Sequence, residues 1–137
     1  QEWLTRYLDT PEQSLFPFGF GLAYTTFSYA NEKVEEKDGV FVFTADITNT
    51  GKRIGTETVQ LYIRDTVAQL SRPRRELKRF AKVTLKPGET KTVRFELRPN
   101  DLGYFCGREW KVEKGRFIAW IASDSDSGKP ISFQLLL

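Results

Sequence analysis

Short stretches in which apolar and polar residues alternate are the feature that most constrains how this chain can fold. Between Val40 and Thr48, four apolar side chains fall on one face of an extended strand, namely Phe41, Phe43, Ala45 and Ile47. A period of two residues is typical of a strand that buries one face. The same alternation predicts strands over residues 56–64, 80–85, 90–97, 110–112, 116–123 and 131–137. In the first of these, we expect Leu61 to face the core and Tyr62 to face outwards.

Turn-forming residues separate these stretches. The run from Lys86 to Glu89 predicts a type II turn, because Pro87 presets φ at the first central position and Gly88 accepts a positive φ at the second. Turns are also predicted at residues 49–51, which read Asn-Thr-Gly, and at residues 114–115, which read Lys-Gly. About seven short strands punctuated like this indicate an all-β fold, an antiparallel β-sandwich of the immunoglobulin type.

The 137 residues suffice for one domain but not for two full cores. Apolar residues make up 39% of the chain, and its eleven Phe residues favour a core rich in Phe. The core candidates, whose burial contributes on the order of 2–3 kcal/mol each, are Phe41, Phe43, Phe95 and Phe117.

The amino acids that the chain lacks narrow its chemistry. It has no His and a single Cys, Cys106, so no internal disulfide can form. Working alone, such a chain cannot be a Ser-His-Asp hydrolase, a Cys-His protease or a typical zinc enzyme. It also has no Met, from which we expect a piece of a longer protein. A net charge of +3 and the lack of a long apolar run predict neither a nucleic-acid partner nor a membrane span.

Two segments do not fit regular strands. The stretch from Ser14 to Tyr24 is aromatic, rich in Gly and broken by Pro17, so its apolar side chains need cover from this sandwich or from a neighbour. We therefore predict an N-terminal arm over residues 1–26 and a sandwich over residues 27–137. The second segment is the long connection from Arg64 to Arg79, which carries a cluster of cations. Long connections in compact domains are usually functional or mobile.

Several blocks of the sequence resemble one known family in the family's own order. Residues 16–29 read FPFGFGLAYTTFSY, residues 47–65 read ITNTGKRIGTETVQLYIRD, and residues 71–97 read SRPRRELKRFAKVTLKPGETKTVRFEL. They are similar to the fibronectin type III-like domain that ends many glycoside hydrolase family 3 enzymes. The resemblance covers about residues 15–137 and implies a helix-like stretch at Glu76-Leu77-Lys78. Arg79 departs from the family, because relatives often have Gly there.

The resemblance implies a division of labour within a longer enzyme. The β-glucosidases and β-xylosidases of this family use two catalytic carboxylates, and both lie upstream of this region. Retaining glycosidases hold such a pair roughly 5–5.5 Å apart. No position here matches those motifs, so we expect no catalytic, cofactor-binding or metal-binding residue in this chain.

The implied role is a non-catalytic accessory domain that packs against, and stabilises, the catalytic domains of the same polypeptide. The resemblance also implies a periplasmic or extracellular location, which the sequence itself leaves open. In the long connection, Arg72 or Arg75 is expected to pair with a carboxylate of those domains, because the planar guanidinium of Arg suits a carboxylate. The residues predicted to make the inter-domain contact are Phe16, Phe18, Phe20, Tyr24, Arg72 and Arg75.

The alternative function is a carbohydrate-binding or protein-interaction module with weak carbohydrate contact. The three Trp residues offer rings on which a sugar can stack, namely Trp3, Trp110 and Trp120. Two of them lie in or beside predicted strands, where partial burial is ordinary.

Three other motifs have plainer interpretations. Gly19-Phe20-Gly21 lacks the third Gly of a phosphate loop. The run from Asp124 to Gly128 lacks the spacing and the final Glu of an EF-hand, which favours a solvated turn. The basic residues from Arg72 to Lys82 have only Phe80 as an aromatic neighbour, so stacking on nucleic acid has little support. We expect Cys106 to be an inert thiol.

Overall fold

A computed structural model describes residues 25–66 and 75–136 of the chain. These residues form nine strands and one short 3-10 helix, Pro99–Leu102. The strands are β1 (Phe27–Lys37), β2 (Val40–Asn49), β3 (Gly55–Asp65), β4 (Glu76–Leu85), β5 (Thr90–Leu97), β6 (Tyr104–Cys106), β7 (Glu109–Lys111), β8 (Gly115–Ala122) and β9 (Ile131–Leu135).

Two antiparallel sheets make the sandwich. One has three strands in the order β1-β2-β5, and the other has four in the order β4-β3-β8-β9. Strands β6 and β7 pair only with each other, as a small separate sheet. The prediction of an all-β sandwich is confirmed. Six of the seven predicted strands lie in the two large sheets, as β2, β3, β4, β5, β8 and β9, and the seventh, residues 110–112, corresponds to β7 of the small sheet.

The four Phe residues predicted for the core are all buried, with at most 6% of their surface exposed. A fifth, Phe133, lies between the sheets. Its ring centroid is 5.0 Å from that of Phe41 and 5.5 Å from that of Phe117, which come from opposite sheets. Aromatic pairs at these separations stabilise a fold by more than the burial of their surface area alone, because the rings attract each other electrostatically. Phe133 therefore joins the two sheets through ring contacts.

The helix-like stretch implied at Glu76-Leu77-Lys78 is wrong, because these residues begin β4. Further along β4, Ala81 and Val83 pack against the core, which is a period of two. The alternate residues, Phe80, Lys82 and Thr84, face out. The backbone hydrogen bonds of this segment go to β3. The connection between β3 and β4 is accordingly shorter than the predicted 64–79, because β3 continues to Asp65 and β4 starts at Glu76.

The alternation of apolar and polar residues did not predict two of the strands, β1 and β6. β1 contains a register shift between Ala30 and Lys33, where Asn31 has a positive φ of 56°, and this irregularity breaks the two-residue period. β6 has only three residues, too few to show a period. The predicted type II turn is confirmed, because the amide of Glu89 donates to the carbonyl of Lys86 at 2.9 Å and Gly88 has a φ of +79°.

Within residues 25–66 and 75–136, the structure contains no helix with the length and hydropathy that crossing a bilayer requires.

Asn49 ends β2 with a fully buried side chain whose hydrogen-bonding groups are all used. Its amide Nδ2 donates to the carbonyls of Arg53 at 2.7 Å and Leu85 at 2.8 Å. Its Oδ1 accepts from the amide of Gly51 at 2.9 Å and from the hydroxyl of Thr25 at 2.8 Å. A buried amide is stabilising only when paired in this way. One side chain thus connects both sheets to the first described residue.

The backbone of Asn49 extends this connection to the next turn. Its amide donates to the carbonyl of Glu89 at 3.0 Å, and its carbonyl accepts from the amide of Gly88 at 2.8 Å. The two turns, residues 49–51 and 86–89, therefore stand against each other at one end of the sandwich.

Thr25 sits in a close cradle beside Asn49. A Cβ on Gly51 would lie 1.9 Å from the Oγ1 of Thr25, and a Cβ on Gly55 would lie 2.4 Å from its Cγ2. Only Gly at both positions admits Thr25 this closely, and the hydrogen bond to Asn49 holds it there. The point at which the N-terminal arm meets the sandwich is therefore fixed.

Replacing Asn49 with Asp tests this connection. The Oδ1 atom can still accept from Gly51 and Thr25, but the carbonyls of Arg53 and Leu85 lose the amide group that donates to them. At pH 7 we expect the free energy of unfolding to fall by about 3 kcal/mol, since a buried carboxylate then faces two carbonyls. Burial raises the pKa of such a carboxyl in the folded state, so the deficit is smallest below about pH 4 and grows as the pH rises. Chemical denaturation across this range measures it.

The control is Thr50→Ala, which removes only the exposed hydroxyl contact with Thr26. It should cost less than about 1 kcal/mol. A variant Asn49→Asp as stable as this control at pH 7 would contradict the role given to Asn49.

Candidate docking surface

The outer face of the four-stranded sheet carries a cluster of apolar side chains, two of which are largely exposed. Leu77, Tyr62 and Trp120 face one another across β4, β3 and β8. Leu77 is 50% exposed, and Phe80, opposite the neighbouring Gln60, is 62% exposed. We call the apolar patch the set Tyr62, Leu77, Phe80, Ile118 and Trp120. Exposed apolar groups this close together mark interaction sites more often than single ones do.

A β-bulge places Leu77 and Phe80 on the same face. Residues three apart normally point to opposite sides of a strand. Here Leu61 pairs with Arg79 and Tyr62 pairs with Leu77, so Lys78 is an extra residue in β4. Arg79, the departure from the family pattern, forms an ion pair with Asp101 at 3.2 Å. The bulge therefore adds Leu77 to the apolar patch.

Arg75 lies over the apolar patch just before β4 begins. Its guanidinium carbon is 4.2 Å from the ring centroid of Trp120 and 5.7 Å from that of Tyr62. Its Nη1 donates to the carbonyl of Ser127 at 2.8 Å. This cover explains why Tyr62, predicted to face outwards, is only 8% exposed although it does lie on the outer face. Stacking of this kind uses the planar form of Arg.

The strand positions of this outer face carry cations and no carboxylates. Arg64, Lys82 and Arg116 are exposed there, cross-strand from Ile118, Thr58 and Gln134 respectively. At the rim, the backbone amide of Asp126 and further hydrogen bonds lower the pKa of Asp124, and the charge of Arg75 contributes. The face is therefore positive around an apolar centre.

The outer face of the three-stranded sheet is different in kind. It carries three cations and three carboxylates, namely Lys33, Lys37, Arg94, Glu35, Asp46 and Glu96. Arg94 and Glu96 form an ion pair, and Thr92 donates to Asp46 at 2.6 Å. These groups satisfy one another in a manner ordinary for a solvated surface.

The structure places one of the six predicted contact residues. Arg75 is the one described, and it contacts Trp120, Tyr62 and Ser127 of its own domain. The other five lie outside the described residues: Phe16, Phe18, Phe20, Tyr24 and Arg72. Leu77 and Phe80 were not singled out as contact residues from the sequence, because their common face depends on the bulge. The inter-domain contact itself, and the division at residues 26 and 27, stay predictions.

An open, largely polar cavity of about 460 Å³ lies beside the arm's attachment point, lined in part by Thr25, Phe27, Gly55 and Glu57. The Tyr29 hydroxyl donates to Glu57 at 2.6 Å. Burial raises the pKa of Glu57 despite this bond, and burial with the nearby carboxylate raises that of Tyr29. This half-buried carboxyl is hydrogen-bonded to a neighbour within the domain.

No group of three His, Cys, Asp or Glu side chains suited to a metal ion occurs in the described part of the chain. In the run from Asp124 to Gly128, the Oδ1 of Asp124 accepts the amide of Asp126 at 2.9 Å, which is a local turn contact. Cys106 is a free, exposed thiol.

The two described Trp residues do not form one sugar platform. Trp110 belongs to the small sheet, where its indole lies against Gly103, donates to the carbonyl of Asn100 at 3.0 Å and meets Phe105 edge-on at 4.9 Å. Trp120 belongs to the large sheet and lies under Arg75. Each ring thus has a partner within the domain, although Trp110 keeps 42% exposure.

A family model described as the fibronectin type III-like domain matches residues 57–125. The chain belongs to the fibronectin type III-like family. It is 39% identical over 140 residues to the periplasmic beta-glucosidase of Salmonella typhimurium, which covers 98% of this chain and 18% of that protein. It is 41% identical over 126 residues to a beta-xylosidase of Formosa agariphila, covering 88% of this chain and 17% of that protein.

Solved structures agree with these matches. The beta-glucosidase from Kluyveromyces marxianus in complex with glucose superposes with a TM-score of 0.76 at 37% identity, over 89% of this chain and 15% of that one. The chain therefore spans less than a fifth of the relatives' length. This fibronectin type III-like domain corresponds to a small accessory part of those proteins, whose catalytic domains lie elsewhere. The resemblance found in the sequence is confirmed.

Glu57→Gln should stabilise this domain at neutral pH, because the amide oxygen still accepts from Tyr29 while the buried charge is removed. The raised pKa of Glu57 means that folding favours its protonated form. This contribution is present below the usual Glu pKa of about 4.3 and is lost as the pH rises through the folded-state pKa. The melting temperature of the variant should exceed that of the wild type increasingly between pH 4 and pH 7.

Tyr29→Phe is the companion variant. It leaves Glu57 buried without its donor and should cost about 1–2 kcal/mol at pH 7. A pH-independent difference between wild type and Glu57→Gln would show that the carboxyl is not the cause.

Arg75→Lys keeps the charge over the apolar patch but loses the flat stacking surface. We expect a loss of about 1 kcal/mol in the free energy of unfolding and faster oxidation of the Tyr62 and Trp120 rings. Arg64→Lys, on the same face but without a ring contact, is the matched control and should change both by little. Equal behaviour of the two variants would argue against a stacking role for Arg75.

Proposed function

We propose that this domain is a non-catalytic accessory domain of a larger β-glucosidase-type glycoside hydrolase, where it packs against the catalytic domains of the same polypeptide and stabilises them. One observation carries the proposal. The chain is a sandwich with its own core, yet it matches less than a fifth of relatives that are β-glucosidases and β-xylosidases. In this arrangement the two catalytic carboxylates belong to the remainder of the polypeptide.

The geometry at the start of the sandwich supports this role. Thr25 is held by Asn49 and by the close approach of Gly51 and Gly55. A chain fixed at this point gives the preceding segment a defined point of attachment to the sandwich. In the proposal, Phe16, Phe18, Phe20 and Tyr24 contact the catalytic domains, and Arg72 or Arg75 pairs with a carboxylate there.

A weaker candidate is direct contact with carbohydrate. The observation that favours it is the small sheet, where Phe105 is 69% exposed beside Trp110. Sugars stack on such aromatic faces. A pull-down on insoluble glucans and xylans, with Trp110→Ala as the variant that lacks the ring, separates this candidate from the docking role.

Truncation of the parent enzyme tests the main proposal. Without residues 15–137, the catalytic domains should melt several degrees lower and lose most of their activity on an aryl β-glucoside, because an apolar contact is exposed to water. Differential scanning calorimetry and initial rates measure both effects. Unchanged melting and unchanged rates on truncation would refute the proposal.

Phe18→Ala and Phe20→Ala in the full enzyme refine the same test. Each should raise hydrogen exchange in the catalytic domains where the arm rests on them. Phe105→Ala, a change of equal size at an exposed position of the small sheet, is the control and should leave that exchange unchanged.

A further inference from the structure

We propose that the outer face of the four-stranded sheet is the surface by which this domain docks on the catalytic part of its own polypeptide, and that the partner surface is apolar at its centre with carboxylates around it. This inference rests on the proposed function and gives it a location.

The two segments predicted to dock join the described residues at opposite ends of β3. The described chain begins at Thr25, which contacts Gly55 at the start of the strand. The connection of residues 67–74 joins Thr66, just after the strand ends, to Arg75. Eleven residues of strand span about 35 Å. A partner that meets the chain at both points must therefore bridge about one strand length.

The apolar patch then distinguishes this face from the other one. Of the six large apolar side chains that are exposed in the described residues, Leu77 and Phe80 lie on the four-stranded sheet's outer face. None lies on the strand positions of the three-stranded sheet's outer face. Burying exposed apolar surface is the main favourable term in association, so the first face gains more from a partner.

Charge identifies the chemistry of the partner. Arg64, Lys82 and Arg116 stand around the apolar patch, and no Asp or Glu occupies a strand position on that face. The opposite face balances three cations with three carboxylates. A partner with carboxylates around an apolar centre would complement this positive rim, and complementary charge fixes the register of docking.

The size of the face also fits. The 34 strand residues of this sheet, at a rise of about 3.3 Å and a strand spacing of about 4.8 Å, give a face of roughly 500 Å². Contacts between domains of one chain bury about 600–1,500 Å² counted over both sides. Arg75 already holds Trp120 and Tyr62 in place, so docking would freeze few additional side-chain rotamers there.

Hydroxyl-radical footprinting of the full parent enzyme tests the inference without any substitution. Phe80 is 62% exposed and Phe105 is 69% exposed in this domain, so both should oxidise readily if nothing covers them. Relative to Phe in an unfolded peptide, we expect Phe80 to be protected at least roughly fivefold in the parent, as for a residue at an interface core. Phe80 oxidising as fast as its exposure in this domain allows would overturn the inference.

Two Lys variants of the parent enzyme test the charge argument. Lys82 and Lys33 are both exposed strand residues, and both stand opposite a Thr, but on different sheet faces. Lys82→Glu should increase the oxidation of Phe80 severalfold and lower the melting temperature of the parent, while Lys33→Glu should do neither. Equal effects of the two variants would overturn the assignment of the face.

The truncation experiment distinguishes failure of the docking face from failure of the accessory role. If removing residues 15–137 destabilises the enzyme but Phe80 stays fully reactive, the domain docks through another surface and this inference fails alone. If truncation changes nothing, the accessory role fails, and the docking face fails with it.

Discussion

The buried amide of Asn49 is the interaction on which the rest of this structure depends. A single fully buried side chain pairs with two carbonyls and two donors near the ends of the strands. Backbone pairing within each sheet is local to that sheet, and ring contacts between sheets have no strict direction. The four hydrogen bonds of Asn49 supply that direction, because each one requires a specific atom at a specific place.

That constraint reaches the functional surface through geometry. Asn49 holds Thr25 at one end of β3, and Arg75 lies over Trp120 and Tyr62 at the other end. The sandwich thus presents two attachment points about one strand length apart, with the apolar patch along the second half of that strand. In the proposed docking arrangement, the sandwich holds these two points at a fixed separation.

The sequence allowed the sandwich to be predicted because regular strands keep their period. In β2 and β5 the core-facing apolar residues recur at every second position, and both strands were located almost to the residue. β1 was missed because of its register shift, and the beginning of β4 because local resemblance suggested a helix and nothing local shows a bulge. Similarly, the burial of Tyr62 depends on Arg75, which lies at the end of the connection from β3 to β4 and folds back over the Tyr62 ring. Features that arise from pairing between distant strands are absent from local pattern.

The extra residue in β4 has a genetic consequence. Loss of the single codon for Lys78 would leave Arg79–Leu85 in register with β3 and would preserve the core. It would also leave Leu77 opposite Tyr62 and Glu76 opposite Ile63, because the extra residue has no partner on β3. A homologue that is one residue shorter here would therefore still present Leu77 and Phe80 on the same face, so this surface tolerates a change of length that would reverse the faces of a regular strand.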